Sequence, residues 1–238
     1  MTHSTAPRAL LALLCIATAA TVSLPAQDAA PNTLTAAERA AGWRLLFDGT
    51  TTTGWRGYHM ASMPPGWQAV AGNLTRVSPA ADIITVDQYA SFELSLEWQI
   101  SPKGNSGIMY RVTEADSDSY QTGPEMQVLD DAGQHDGLSR LTAAGAVYGL
   151  YPAPEGLVRP VGQWNQVRIE VKGDSVQHWL NGVLVAEYVL GSPDWNARVA
   201  KSKFAQWSGF GKAKKGHIAL QDHDAWVAYR NIKIRVLP

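Results

Sequence analysis

The chain has 238 residues, a formal net charge of −1 and a single cysteine, Cys15. Its near balance of 20 basic and 21 acidic residues argues against nucleic acid or an anionic membrane as a partner. One thiol excludes intrachain disulfides and thiolate metal sites. A lipid anchor on Cys15 is not expected either, because Leu14 stands where a lipoprotein signal normally has a small residue.

The N-terminus has the order of a secretory signal peptide. A weakly basic start that ends at Arg8 precedes an apolar run over residues 9–24, and small residues follow it around Ala26. We therefore predict a signal peptide over residues 1–26, with export to the periplasm or the extracellular space. A transmembrane anchor is the alternative, but the apolar run is short and rich in alanine.

The predicted mature chain consists of a lead-in segment, residues 27–41, and one domain, residues 42–238. Within the lead-in, Thr35 and Glu38 have the spacing of a capping box, which predicts one short helix. The domain has no internal repeat of fixed period and no linker long enough to indicate a second domain.

Alternation of apolar and polar residues predicts about a dozen short strands in the domain. The cleanest is residues 91–100, where five apolar side chains alternate with polar ones. The other predicted strands lie within residues 42–49, 67–77, 82–86, 107–112, 123–131, 164–171, 175–180, 183–188, 217–223 and 226–237. Turns are predicted at Gly72-Asn73 and at Asn181-Gly182. This pattern predicts an all-β sandwich or jelly roll of two antiparallel sheets.

Two long segments interrupt the strand pattern. Residues 130–151 are a loop, and a loop of that length in a compact domain usually has a function. Residues 193–216 contain five lysines and are predicted to be a mobile basic excursion, which could act as a lid over the site.

Two predicted strands carry the residues that are best suited to catalysis or substrate binding. Glu125 and Gln127 alternate onto one face of their strand, and Gln221 and His223 onto one face of another. If both faces belong to one sheet, a carboxylate, two amides and an imidazole converge. A carboxylate and an imidazole can exchange protons with a substrate. An ordinary solvated sheet face is the alternative.

Arg111 is a further candidate. It follows the turn Gly104-Asn-Ser-Gly107, and alternation places it on a face with Met109. Beside Glu125, a guanidinium could depress the pKa of that carboxyl or bind a substrate oxygen. A plain surface arginine is equally compatible with the pattern.

Three other residues have weaker signals. Asp130, at the end of its strand with Asp131, could bind a hydroxyl or calcium, although paired acids at a turn need no function. His178 alternates with Val176 and Leu180, which favours a core histidine. The histidines have no recognisable ligand spacing, so we predict no metal and no cofactor.

The motifs, taken in order, resemble the bacterial 3-keto-disaccharide hydrolase family. They are Leu46-Phe-Asp-Gly49, Gly54-Trp55, Gly104-Asn-Ser-Gly-Ile108, Glu125-Met-Gln-Val-Leu-Asp-Asp131, Val147-Tyr-Gly149, Trp164-Asn165, His178-Trp-Leu-Asn-Gly182, Leu220-Gln-Asp-His223 and Tyr229-Arg-Asn-Ile232. The resemblance implies a concanavalin A-like sandwich that acts on 3-keto-glycosides by 1,2-elimination and hydration. It also implies a partner, a sugar 3-dehydrogenase that installs the ketone.

The resemblance implies roles for the candidate residues. Catalytic roles fall to Glu125, His223 and Arg111, with Arg111 and Gln127 holding the ketone or enolate oxygen. Substrate-binding roles fall to Gln127, Gln221, Asn105, Tyr148, Asp130 and His178. Which of Glu125 and His223 is the acid and which the base stays open. A non-catalytic carbohydrate-binding module of the same fold is the competing hypothesis, and a structural surface domain is a third.

Overall fold

The chain folds into two antiparallel sheets. A computed structural model describes residues 1–3 and 30–238, so most of the predicted signal peptide lies outside the described residues. The strands are β1 Arg44–Leu45, β2 Trp55–Gly57, β3 Trp67–Val70, β4 Asn73–Arg76, β5 Ile83–Thr85, β6 Phe92–Ile100, β7 Asn105–Val112, β8 Glu125–Leu129, β9 Asn165–Lys172, β10 Ser175–Leu180, β11 Val183–Val189, β12 His217–Leu220 and β13 Val227–Val236. The α-helices are α1 Ala36–Ala40 and α2 Pro193–Ala200, and the 3₁₀ helices are Ser119–Gln121, His135–Leu138 and Lys203–Gln206.

The larger sheet has eight strands in the order β11-β10-β9-β6-β13-β4-β3, with β1 paired to β13. The smaller sheet has five strands in the order β2-β5-β12-β7-β8. The predicted all-β, concanavalin A-like jelly-roll sandwich of two sheets is confirmed. In the part of the chain that the structure describes, no helix is long and apolar enough to cross a bilayer.

The main core lies between the two sheets. Strand β6 supplies Phe92, Leu94, Leu96, Trp98 and Ile100, all of which are buried as their alternation predicts. Full burial of a large apolar side chain stabilises a fold by roughly 1.5–3 kcal/mol, so this strand is a principal contributor to the core. It lies between β9 and β13, at the centre of the larger sheet.

The predicted turns are close to the observed ones. Asn181 and Gly182 have φ of +50° and +84°, as a two-residue hairpin turn requires, and the prediction there is confirmed. The other turn lies one residue earlier than predicted. Ala71 and Gly72 take positive φ, and Asn73 is already the first residue of β4.

The lead-in segment packs onto the sandwich. As predicted, Thr35 Oγ1 accepts a hydrogen bond from the N–H of Glu38, and the Glu38 carboxylate accepts one from the N–H of Thr35, so the capping box of α1 forms. Upstream, the N–H of Asn32 donates to Oδ1 of Asn231 at 2.6 Å. The lead-in is therefore fixed to strand β13.

Residues 193–216 are not the mobile excursion that the sequence predicts. They contain α2 and the 3₁₀ helix Lys203–Gln206, and the rings of Trp195, Phe204 and Phe210 are buried. The Phe204 and Phe210 rings stack with centroids 4.1 Å apart. Because these aromatic rings belong to the main core, the segment is a packed part of the fold.

Candidate active site

The loop over residues 130–151 covers the free edge of β8. The N–H of Gln127 donates to the carbonyl of Ala146 at 3.0 Å, and the N–H of Tyr148 donates to the carbonyl of Glu125 at 3.1 Å. These bonds satisfy backbone groups that an edge strand would leave unpaired. They also bring the Tyr148 side chain next to Glu125.

A cavity of about 550 Å³ lies over the smaller sheet, on the face turned away from the main core. The strand pairing puts distant chain segments side by side there, because β7 lies between β8 and β12. Six of the nine predicted site residues line this cavity: Asn105, Glu125, Gln127, Tyr148, Gln221 and His223.

Glu125 is the most unusual ionisable group in the cavity. It is only 7% exposed, and no described residue donates a hydrogen bond to its carboxyl group. Burial raises its pKa to about 8, against an ordinary value of 4.5, and the charge of Lys203 opposes that rise. The carboxyl is therefore largely protonated at neutral pH.

Gly107 on β7 makes room for that carboxyl. A Cβ built at position 107 would overlap Oε1 of Glu125. The glycine pairs directly with Gln127 on the neighbouring strand β8. A side chain at this position would displace Glu125, so the glycine is part of the site.

The amides in the cavity have polar atoms without protein partners. Both polar atoms of the Gln127 side chain, Oδ1 of Asn105 and Oε1 of Gln221 are buried and make no hydrogen bond within residues 1–3 and 30–238. A buried polar group without a partner costs roughly 1–3 kcal/mol, so several in one place indicate a site built for a ligand. Donors and acceptors mixed in this way suit a hydroxyl-rich molecule.

Two further acids, which sequence reasoning missed, form the floor of the cavity. Asp82 accepts hydrogen bonds from the N–H of Asp222 at 2.8 Å and from the Ser119 hydroxyl. Burial raises the pKa of Asp82. The Asp222 carboxylate accepts from Nε of Arg76 at 2.6 Å and from the N–H of Ala80 at 2.5 Å. Because both carboxylates are held by protein donors, they support the cavity rather than offer free oxygens to a ligand.

Lys203 was also missed. It starts the 3₁₀ helix Lys203–Gln206 and lines the cavity. Its Nζ lies 4.4 Å from the ring centroid of Tyr148 and 5.2 Å from that of Tyr120. The only sequence signal for it was the suggestion that the lysine-rich segment covers the site.

Residues 42–235 match the 3-keto-alpha-glucoside-1,2-lyase-like domain. The chain belongs to this family. A 3-keto-disaccharide hydrolase of Bacteroides thetaiotaomicron is 33% identical over 230 residues, which cover 83% of this chain and 79% of the relative. The family predicted from the motifs is therefore confirmed.

Two crystal structures of candidate glycosyl hydrolases from Parabacteroides distasonis are similar to the chain. One has a TM-score of 0.81 at 34% identity and covers 88% of this chain and 100% of the other. The second has a TM-score of 0.65 at 30% identity, with 82% and 99% covered.

In this member of the family, Arg111 lies outside the cavity, and a β-bulge is the reason. Val112 pairs with His217 while Met109 pairs with Ala219, so β7 has one residue more than β12 between these pairs. Arg111 sits in the bulge with φ of +53°. The predicted face shared by Arg111 and Met109 is wrong, because Val112 takes that face instead.

The guanidinium of Arg111 links the segment before β6 to the turn between β9 and β10. It donates to the carbonyl of Ala90 at 2.9 Å and to that of Gly173, and it lies 3.5 Å from the Asp174 carboxylate. The suggested contact with Glu125 is not made, since Arg111 does not line the cavity, and burial raises the pKa of that carboxyl.

Asp130 and His178 are likewise outside the cavity. Asp130 accepts a hydrogen bond from the N–H of Lys103 at 2.8 Å and so joins the end of β8 to the segment before β7. His178 is fully buried between the sheets, with Nε2 3.0 Å from the Tyr110 hydroxyl, and burial lowers its pKa to about 3. It is a core histidine, as its alternation favours. Within the described residues, no cluster of three or more His, Cys, Asp or Glu side chains could hold a metal ion.

Gly107→Ala is expected to damage the site far more than the fold. The new methyl group would displace the carboxyl of Glu125, which is the movable end of a side chain, so we expect less than about 1 kcal/mol of lost stability. We expect turnover to fall at least about tenfold, because small displacements of a catalytic group are costly. Gly209→Ala is the matched control, since its Cβ would meet nothing nearer than 3.8 Å. Equal activity of the two variants would contradict the assignment of Glu125.

Proposed function

We propose that this protein is a 3-keto-glycoside hydrolase of the lyase and hydratase type, which cleaves 3-keto-disaccharides by 1,2-elimination followed by hydration. The observation that carries the proposal is that Glu125, a buried carboxyl with a pKa near 8, shares a cavity with His223 and with unpartnered amides. Membership of a family of 3-keto-alpha-glucoside-1,2-lyase-like domains supports a carbohydrate-active hydrolase.

The first step needs one base and one acid. The ketone at C3 acidifies the C2 proton, so a base can remove it and leave an enolate. The enolate electrons then form the C1–C2 double bond as C3=O re-forms, and the bond from C1 to the glycosidic oxygen breaks. An acid protonates the departing oxygen. The intermediate is a 3-keto-2-hydroxyglucal.

The second step uses the same pair in reverse. Water adds to C1 and gives a proton to the group that acted as the acid, and the enolate forms again at the C3 oxygen. The group that acted as the base then returns its proton to C2. Both groups recover their initial states, and the net reaction is hydrolysis.

Glu125 is suited to be the acid and His223 the base. With a pKa near 8, Glu125 carries a proton to donate at neutral pH. His223 lines the cavity, and no described residue hydrogen-bonds its ring. The other histidine there, His59, has Nε2 2.8 Å from the carbonyl of Asp116. Asp82 also lines the cavity, but its two carboxylate oxygens accept hydrogen bonds from Asp222 and Ser119, which gives it a supporting role.

The unpartnered amides are suited to form hydrogen bonds with the hydroxyl groups of the sugar. Gln127 offers both a donor and an acceptor, while Asn105 and Gln221 each offer an acceptor oxygen. A site built to pair with hydroxyl groups discriminates strongly against molecules that lack them. We expect Gln221→Leu to weaken substrate binding more than it slows the chemical step.

The test is hydrolysis of a 3-keto-disaccharide in D₂O. Elimination and hydration place one deuterium at C2 of the released 3-keto sugar, because the base exchanges its proton with D₂O before it protonates C2, whereas hydrolysis through an oxocarbenium ion leaves C2 unlabelled. The parent disaccharide, with a hydroxyl at C3, should not be cleaved. Absence of cleavage of any 3-keto-glycoside would overturn the proposed function. Binding without cleavage would support the carbohydrate-binding module instead.

The pH dependence of the rate distinguishes the two assignments of acid and base. If Glu125 is the acid, kcat/KM falls above about pH 8 as its carboxyl loses the proton that it must donate. If it is instead the base, kcat/KM rises through the same range. We expect the fall, and an initial-rate series between pH 6 and pH 10 measures it, with pH limits chosen about two units either side of the pKa.

The predicted export and the predicted partner belong to the same proposal. A signal peptide over residues 1–26 would leave a mature chain that starts at Gln27. N-terminal sequencing of protein recovered from outside the cytoplasm tests this. The substrate requires an enzyme that oxidises the C3 hydroxyl, so we infer a functional link to a sugar 3-dehydrogenase.

A further inference from the structure

A lysine side chain lines the cavity. Among the described residues that line it, Lys203 is the only lysine or arginine. The proposed reaction places negative charge on the C3 oxygen in both steps. Arg111, which the sequence suggested for that oxygen, is held by Ala90 and Gly173 instead. The charge that develops on the substrate therefore needs another partner.

Aromatic rings, not carboxylates, hold Lys203. Its Nζ lies near the ring faces of Tyr148, Tyr120 and Phe204, with centroid distances of 4.4, 5.2 and 5.3 Å. Rings stabilise an ammonium without neutralising its charge. By contrast, Lys214 and Lys233 pair with the carboxylates of Asp174 and Glu38.

The backbone at Lys203 is well anchored. The Ser202 hydroxyl accepts a hydrogen bond from the N–H of Phe204 at 3.1 Å, and the Phe204 ring is buried in the core. The Tyr148 hydroxyl donates to the Asp136 carboxylate at 3.2 Å, which steadies one of the rings. The anchored backbone and the aromatic rings therefore keep the ammonium group at the cavity although Lys203 is exposed, and a cation that is already in place needs little reorganisation when charge develops beside it.

We propose that Lys203 is a catalytic residue whose ammonium group binds the C3 oxygen of the substrate and stabilises the enolate. This inference rests on the proposed function. The base takes the C2 proton, the C2–H electrons form the enolate, and the charge on the C3 oxygen meets Nζ of Lys203. Nε2 of Gln127, a buried donor without a protein partner, supplies a second contact. No proton leaves Lys203, so atoms and charges balance as in the two steps above.

The first test compares Lys203→Met with Lys203→Arg. Methionine keeps the length of the side chain but removes the charge, so we expect kcat on a 3-keto-disaccharide to fall about 10²- to 10³-fold, as when an oxyanion donor is removed. Arginine keeps the charge and should retain more activity than methionine. Lys201→Met is the control, because Lys201 lies on the same segment and is exposed like Lys203, but it does not line the cavity.

Two further readouts separate charge stabilisation from a structural role. The parent disaccharide develops no charge at C3, so its affinity should fall far less in Lys203→Met than kcat on the 3-keto-disaccharide does. The alkaline limb of the pH–rate profile should move to higher pH, because the charge of Lys203 opposes the raised pKa of Glu125. A merely structural lysine would weaken binding of the parent disaccharide as much as it lowers kcat, and a charge that does not reach the site would leave the limb in place.

Chemical rescue tests the role of the charge within one variant, so differences in folding between variants do not affect the result. Cys15 is the only native cysteine, so in Lys203→Cys the reagent 2-bromoethylamine rebuilds an ammonium at position 203. We expect alkylation to restore at least about a tenth of the lost rate, a fraction of the effect of an oxyanion donor. Wild-type protein treated identically controls for modification of Cys15.

The outcomes distinguish a failure of the proposed function from a failure of the role of Lys203. An inactive wild-type enzyme on every 3-keto-glycoside overturns the proposed function and this inference with it. An active wild type with kcat within about threefold in Lys203→Met overturns the role of Lys203 alone, since an oxyanion donor is worth far more. Loss in the methionine variant without rescue by either arginine or 2-bromoethylamine also overturns it, because the charge would then not be what matters.

Discussion

Replacing Glu125 by glutamine is expected to lower kcat about 10³-fold, within the range that general acid–base groups contribute, and to stabilise the fold at alkaline pH. Glutamine has the same shape and stays neutral, so substrate affinity should change little. Activity is therefore expected to fall while stability at alkaline pH rises. A residue that only supported the structure would not lose activity while it gained stability.

The stability effect follows from the raised pKa. The folded state holds the Glu125 proton up to about pH 8, whereas the unfolded chain releases it near 4.5. Stability is therefore fully present below about pH 4.5 and is lost as the pH rises through 8. The loss approaches about 5 kcal/mol as an upper estimate, because each pKa unit corresponds to about 1.4 kcal/mol. Glu125→Gln escapes this loss.

Thermal unfolding of the wild type and of Glu125→Gln at pH 5 and pH 9 measures this difference in stability. The two pH values lie on either side of the Glu125 pKa of about 8. We expect similar Tm values at the lower pH and a Tm higher by about 10 °C for the glutamine variant at the upper pH. Glu155→Gln, at an exposed carboxylate, is the control and should shift neither value. A pH-independent difference would show that Glu125 is not a buried acid.

Much of the fold follows from the sequence because strand periodicity is local. The alternation in β6 and the turn at Asn181 and Gly182 depend on neighbouring residues alone, and both match the structure. The same rule places Glu125 and Gln127 on one face of β8. The predicted strand face for Gln221 and His223 is wrong, because β12 ends at Leu220. Both residues line the cavity from the segment that follows the strand.

The remaining site residues depend on features without a local signal. Arg111 was misplaced because one extra residue in β7 breaks the alternation, and a bulge has no marker in this stretch. Lys203 was overlooked because its segment reads as a polar loop, while the buried rings of Trp195, Phe204 and Phe210 fix it to the core. Long-range packing decides such positions, so periodicity alone does not identify them.

The ion pair beneath the cavity should show a second large effect. Arg76 ends β4 in the larger sheet, and Asp222 follows β12 in the smaller one, so their contact at 2.6 Å joins the two sheets. Both side chains are 7% exposed. Removing one partner of a buried pair leaves the other charge without compensation, so Arg76→Leu is expected to cost about 3 to 5 kcal/mol.

The measurement is denaturant unfolding of Arg76→Leu beside Arg44→Leu. Arg44 pairs with Asp87 at 3.4 Å, but the side chains are 50% and 62% exposed, so its loss should cost less than about 1 kcal/mol. Asp222→Asn added to Arg76→Leu should recover part of the stability, because the unpaired charge is gone while an oxygen for the N–H of Ala80 remains. Activity should stay low in that double variant, since Arg76 no longer holds the chain that positions Gln221. Equal costs for Arg76 and Arg44 would mean that the pair is not desolvated, and the cavity floor would then need another support.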